Sequence, residues 1–285
     1  MNRKHIEIIN KRQEELERRL DRSWRPKSGG RVLRGGNIVY DVSRRMGGVS
    51  SGGLGLIVQL VKRLKVAERI DERVRVLKRH LPYRESDHVL NLIYNVMSGG
   101  VCLQDVKSRR EDVSYLESVG ARKIPAPSTE GDFLRRFKQE DVLALQEAFN
   151  ESRLQVWQSQ AAEMGKRATI DVDGTTAETT GCCKEGMDLN YKGQWGYGPL
   201  VVSLAETNEV LYTFNRPASR PSHEGAVAWI DRAVKLVTRG GFEQVRLRGR
   251  HGLFPDPQLR SLERGGCGVC VRDRGQSELR QRGRQ

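Results

Sequence analysis

The sequence predicts an α+β protein in which a mostly helical N-terminal region precedes a strand-rich domain. Three observations carry this. From Leu54 to about Gln160, apolar residues recur at helical spacing. After Lys166 the apolar runs become short and β-branched, as in Ala168–Val172. One amphipathic stretch, Gly225–Thr238, then lies between strand-like runs, as a helix covering a sheet does.

The chain has 285 residues, enough for one large or two ordinary domains. It carries 50 Lys and Arg against 36 Asp and Glu, a net charge of +14 spread along its length. That excess favours a polyanionic partner, nucleic acid first among them. No apolar run is long enough to span a membrane, and the N-terminus, charged from Arg3, has no signal-peptide core. Five cysteines, an odd number, form no disulfide framework, so a reducing, cytoplasmic location is expected.

Residues 1–36 read as a charged helix, Met1–Asp21, and a Gly/Arg-rich linker, Pro26–Gly36. Residues 37–165 form the helical region. Asn37–Arg44 looks like a single strand there, and Leu56, Leu60, Leu64 and Val66 give the first helix its apolar face. Ser86 or Asp87 is placed to cap the next helix, with Val89, Leu90, Ile93 and Val96 inward. Short helices continue over Leu103–Val119. His80 and His88 have no partner at metal-ligand spacing and read as structural or surface residues. Pro125–Thr129 is a turn with Ser128 or Thr129 as N-cap. The helix Asp132–Phe137 carries Arg135 and Arg136, with Lys138 just beyond, and fits either a DNA-contacting helix or a solvated face. A long helix from Gln139 packs Val142, Leu143, Leu145, Phe149, Leu154 and Trp157 inward.

Ala168–Val172 leads into Asp171-Val172-Asp173-Gly174. Side chains alternate along a strand, so Asp171 and Asp173 share a face. Two readings fit: a divalent-metal anchor beside a glycine, or solvated turn-formers after a buried strand. The excursion Gly181–Gly198 mixes Tyr191, Trp195 and Tyr197 with Lys184 and Lys192, which suits either nucleic-acid stacking or a closed β-hairpin. Pro199–Ala205 and Glu209–Asn215 pair about a turn at Glu206-Thr207-Asn208. The helix Gly225–Thr238 buries Ala228, Ile230, Ala233, Val234 and Val237, Gly240-Gly241 stops it, and Gln244–Leu247 is the next strand. Three strands, a helix and a fourth strand match the start of the ribonuclease-H-like fold.

Several spaced motifs now stand in order: RHLPYRESDHVLN from Arg79, IPAPSTEGDFLRRF from Ile124, TIDVDGT from Thr169, YKGQWGYGPLVVSL from Tyr191 and NRPASRPSHEGA from Asn215. With them, from about Tyr40 to Gly249, the chain resembles the group-1 DDE transposases of bacterial insertion sequences. The resemblance implies three carboxylates holding two Mg²⁺ ions. It also implies cleavage and strand transfer at double-stranded DNA ends bearing terminal inverted repeats, and work as a homodimer. By position Asp173 is the first acid, with Asp171 two residues earlier on the same face. Arg135, Arg136, Lys138, Lys184 and Lys192 are the candidate DNA contacts.

The second acid of that family follows strand four in a motif of the form RGDTDF. Here the chain reads Arg248-Gly249-Arg250-His251-Gly252-Leu253-Phe254, with a cation where the acid belongs. A one-base displacement accounts for this. Arg250 as CGA before His251 gives GAC, an Asp codon; His251 as CAC gives ACG, Thr; Gly252 as GGA gives GAC, Asp; Leu253 as CTT gives TTT, Phe. The same displacement permits F-D-R-W over Leu259–Leu262 and a strand-like G-V-G-F-V-F-G over Gly266–Arg272. The expectation is therefore an incomplete ribonuclease-H-like domain at 166–249, and an out-of-frame, disordered tail at 250–285 lacking the second and third acids. The chain would be an inactive transposase, or a DNA-binding fragment competing at transposon ends. Cys267-x-x-Cys270 lacks the second pair of a zinc finger, and adjacent Cys182 and Cys183 cannot readily share one tetrahedral metal.

Overall fold

The computed structural model describes residues 51–78, 80, 82–160, 166–180, 184–221 and 223–250, with the strands 268–272 and 280–281 by backbone alone. The charged helix, the linker and the strand Asn37–Arg44 expected near the N-terminus lie outside the described residues, as do Cys182, Cys183 and Cys267. The chain divides into two compact units, Met1–Ser152 and Arg153–Gln285.

The first unit is helical. Helix α1, Leu54–Arg63, buries Leu54 and Val58, with Ile57 and Val61 partly covered. The expected stripe through Leu56 and Leu60 is exposed instead. Leu, Ile and Val fill six of the ten positions of α1 and run consecutively from Leu56 to Val58, so periodicity alone could not choose its inner face. The chain breaks at Lys65, whose backbone is left-handed at φ 52°, and restarts as α2, Val66–Arg73. Helix α3, Glu85–Met97, begins one residue before the expected cap. The Asp87 carboxylate accepts a 3.0 Å hydrogen bond from the Arg84 backbone N–H, while Ser86 is buried inside the first turn. Leu90 and Tyr94 point inward and Val96 outward, opposite to the expectation for Val96.

A 3₁₀ turn, Leu103–Asp105, leads into α4, Val106–Glu111, and α5, Val113–Ser118, capped by Asp112 accepting from Tyr115 N–H at 3.0 Å. Helix α6 spans Pro127–Leu134, with Ala126 at its N-cap and Pro127 at its first position. Proline is suited to that position because its missing N–H has no intrahelical partner there. This displaces Ser128 and Thr129 from the cap. Helix α7, Gln139–Ser159, crosses the division between the units.

The second unit is built on a six-stranded sheet. Its central strand is β1, Arg167–Gly174, whose Ala168, Ile170 and Val172 are buried while Thr169, Asp171 and Asp173 face the other way. A small sheet follows: β2, Ala177–Glu178; β3, Asp188–Leu189; β4, Trp195–Tyr197, in the order β2-β4-β3. The main sheet resumes with β5, Leu200–Leu204, and β6, Glu209–Phe214, turned through Asn208 at φ 56°. Helix α8, Ala226–Arg239, buries Ala226, Trp229, Ile230, Ala233, Leu236 and Val237. Ala228, expected inside, is exposed, and Trp229 fills the core face by stacking on Phe214 at 5.1 Å. Strands β7, Gln244–Arg250, β8, Gly268–Arg272, and β9, Arg280–Gln281, complete the order β6-β5-β1-β7-β8-β9.

In this sheet β1 is antiparallel to β5 and parallel to β7, and β7 is parallel to β8. Three antiparallel strands followed by parallel additions on the far side of β1 make a ribonuclease-H-like arrangement. Strands β8 and β9 fall in the span expected to lack regular structure. Gly268-Val269-Cys270-Val271-Arg272 is short and β-branched, a composition that pairs readily as a strand.

Candidate active site

Strand β1 delivers two carboxylates to one face of the sheet, and β7 is the parallel neighbour that lies level with them. Their register is Ile170 to Leu247, Asp171 to Arg248 and Val172 to Gly249. The position level with Asp173, one residue further along β7, is therefore Arg250. On the other side Asp173 pairs with Val201 of β5.

Asp171 and Arg248 meet directly. The guanidinium donates through Nε and Nη2 to the two carboxylate oxygens, a bidentate pair. Asp171 thus orients Arg248, and both are partly open to solvent. Asp173 is exposed at the end of β1, before Gly174 and Thr175, whose N–H is held by Pro199 O at 2.9 Å.

A metal-dependent nuclease site needs several oxygen ligands converging on one point. Among the described residues no group of three or more His, Cys, Asp or Glu side chains is arranged to hold a metal ion. Among the described residues the donor set does not fit one: Asp171 is taken up by Arg248, and Asp173 stands at the end of β1 with no second or third carboxylate gathered beside it.

The predicted cations fall into two places. Arg135, Arg136 and Lys138 belong to the helical unit and are exposed in the turn between α6 and α7, past the end of α6 rather than on its face. Arg135 pairs with Asp132 at 3.4 Å. Lys184 and Lys192 belong to the unit that holds Asp173, on the small sheet, where Lys184 Nζ donates to Thr179 Oγ1.

The motifs of the helical unit turn out to be core. His88 Nδ1 lies 3.0 Å from Glu130 Oε2, Asn91 Nδ2 donates to Glu130 Oε1, and the His88 ring stacks on Phe133 at 4.4 Å. All four side chains are buried. His80, exposed, pairs with buried Glu85 at 3.1 Å.

The sequence reading passed over two residues. Arg248 was visible only as part of a motif, and its role follows from the β1–β7 register. Arg216 is buried and donates to the backbone carbonyls of Gly198, Pro221 and Glu224 at 3.1, 3.0 and 2.7 Å, so it ties the loop after β6 to the end of β4. Burial lowers its pKa from the ordinary arginine value.

The family model described as "Transposase DDE domain group 1" matches residues 42–283. The chain belongs to this DDE transposase family. Members of this family use divalent metal ions. The match runs past Gly249 and takes in β8 and β9. No curated protein matches the chain. One similar solved structure is described as "Cryo-EM structure of piggyBac transposase synaptic complex with hairpin DNA", at 11% identity and a TM-score of 0.34. The likeness covers 82% of this chain and 54% of that one, so the chain spans about half the length of that protein. Among the described residues no helix is long and apolar enough to cross a membrane.

Proposed function

We propose that this chain descends from an enzyme that cuts and joins insertion-sequence DNA, and that it now binds DNA ends without cutting them. One observation carries the reading: the β1–β7 register pairs Asp171 with Arg248 and Val172 with Gly249, so the next residue along β7, toward Asp173, is Arg250 and not an acid. Cleavage by two metal ions gathers carboxylates around a dication. A guanidinium is always charged at neutral pH and supplies no ligand atom. It repels the ion that an acid at the same position would hold.

DNA binding does not need those acids. A net charge of +14 supplies the sequence-independent attraction to phosphate that dominates such affinity. The expected partner is double-stranded DNA at terminal inverted repeats, engaged by a pair of chains in the cytoplasm, where an inactive copy occupies ends that active copies would process.

The test is a binding and nicking assay on a duplex carrying the repeat that flanks the gene, using the whole chain. Binding that weakens steeply between 50 and 200 mM salt, with no nicking in Mg²⁺ or Mn²⁺, supports the reading. Metal-dependent nicking refutes the inactive assignment. Absence of binding at low salt refutes the DNA-binding one.

A further inference from the structure

The small sheet β2-β4-β3 is braced by a buried asparagine and a close strand approach. Asn190, buried at the start of the β3–β4 turn, has both ends of its amide engaged. Its Oδ1 accepts from the N–H groups of Lys192 and Gln194, each at 2.9 Å. Its Nδ2 donates to Gln194 Oε1 at 2.8 Å and Thr176 Oγ1 at 3.3 Å. Behind it, Gly196 lets β2 approach so closely that a Cβ there would stand 2.2 Å from the Ala177 carbonyl.

What this framework presents is aromatic and exposed. Tyr191, at the turn, is 82% exposed, and Trp195 is 44% exposed. Trp195 pairs across the strands with Leu189, itself half exposed, so an open apolar face surrounds the ring. Lys192 Nζ stands 5.6 Å from the Tyr191 ring centroid, and Lys184 Nζ bonds Thr179, whose N–H is held by Trp195 O at 3.2 Å. The carboxylates lie elsewhere. Asp188 and Glu178 flank Gly196 on the opposite side of the pleat. Asp188 accepts a hydrogen bond from Ser219, and Glu178 accepts one from Gln194. The strand face that carries Trp195 and Leu189 is therefore apolar, with Tyr191, Lys192 and Lys184 in the adjoining loops; the acids of the strands, Asp188 and Glu178, are turned to the other side, and Glu185 lies beside Lys184 in the loop before β3.

We propose that this face is a stacking platform for unpaired nucleotides of DNA, with Tyr191 and Trp195 as the rings and Lys184 and Lys192 as phosphate partners. It rests on the DNA-binding reading above and names which part of the DNA this region takes. Rings stack only on bases whose faces are free, which excludes the interior of a duplex. At this face a second copy of the chain is a poorer occupant, because it would set Lys184 and Lys192 against the same two ammonium groups. The fixed hairpin spares the ordering cost that a flexible loop would incur on binding.

The experiment uses the full chain and two probes of one sequence: a blunt duplex, and the same duplex with a short unpaired 3′ extension containing 2-aminopurine. The extended duplex is expected to bind about tenfold more tightly, the scale of one base stack, and its 2-aminopurine fluorescence is expected to fall on binding. Y191A and W195A each remove much of that preference and of the quench while leaving blunt-duplex binding unchanged. Y191W restores both, which a merely structural tyrosine would not do. Tyr191 is so exposed that its removal leaves no cavity, and unchanged blunt-duplex binding reports that each variant is folded. Equal binding of the two duplexes, or a quench indifferent to these substitutions, overturns the platform and leaves the DNA-binding reading standing. Loss of self-association in Y191A or W195A, with the quench intact, assigns the face to a second copy and likewise overturns the platform. Binding to neither probe at low salt overturns both.

Discussion

Replacing Glu130 by Ala would remove the acceptor at the centre of the helical unit. Glu130 is 0% exposed and takes hydrogen bonds from His88 and Asn91, two side chains that cannot turn to water. His88 is clamped against Phe133, with ring planes 12° apart, and Asn91 is buried on α3. Each lost bond to a charged acceptor costs about 1.5–3 kcal/mol. Removing the carboxylate also relieves its own desolvation, so the sum is an upper bound, and breaking a buried pair by deleting one partner costs ~3–5 kcal/mol. E130A is expected in that range. E130Q keeps an oxygen for Asn91 and offers an N–H to His88, so it should lose less than half as much. Urea unfolding of the whole chain, followed by far-ultraviolet circular dichroism, reads both. A loss below about 1 kcal/mol for E130A, the scale of an exposed pair, would refute the claim that this motif is a structural keystone.

Other consequences can be checked alongside. Gly240 has ordinary helical geometry at φ −73°, yet a Cβ there would stand 2.4 Å from Cε3 of Trp157, a buried ring packed edge-on to Phe242. G240A should therefore lose ~1–3 kcal/mol by overpacking rather than gain chain rigidity, as thermal unfolding will report. R248A breaks a pair whose side chains are 40% and 31% exposed, so the stability cost should stay under about 1 kcal/mol. No nicking activity should appear in that variant, because Arg250 still stands level with Asp173. Sequencing the coding DNA across codons 244–285 should recover the acid-bearing motif in the displaced frame, open through a later helix with a Glu; a closed or unrelated frame would make the arginine tail genuine.

Legibility in the sequence varied with how local the signal was. The strands β1, β5, β6 and β7 and the helix α8 were readable because alternation, a turn at Glu206-Thr207-Asn208 and a glycine stop are properties of neighbouring residues. The inner face of α1 was not, since Leu56 and Val58 are equally apolar and only the opposing helices decide between them. His88 read as structural from its spacing, but its partner Glu130 lies 42 residues away, a distance no period reveals. At the candidate site, Asp171 and Asp173 were legible as one face of a strand. That Arg248 takes the first, and that Arg250 stands level with the second, depends on the pairing of β1 with β7. The cations after α6 looked helical from their spacing; Pro127 started that helix early, and it ended before reaching them.

The pairing of β1 with β7 runs out to Val172 and Gly249, one residue short of the place where the family resemblance puts an acid. On that reading, architecture and chemistry would be written on opposite sides of a single peptide bond. A one-base displacement just beyond it, of the kind the codon reading permits, would remove the acid-bearing segment while sparing the central strands β1, β5 and β7. Under the DNA-binding reading proposed above, every DNA end such a chain covers would be one excision fewer, and the defect would restrain the spread of the element that encodes it.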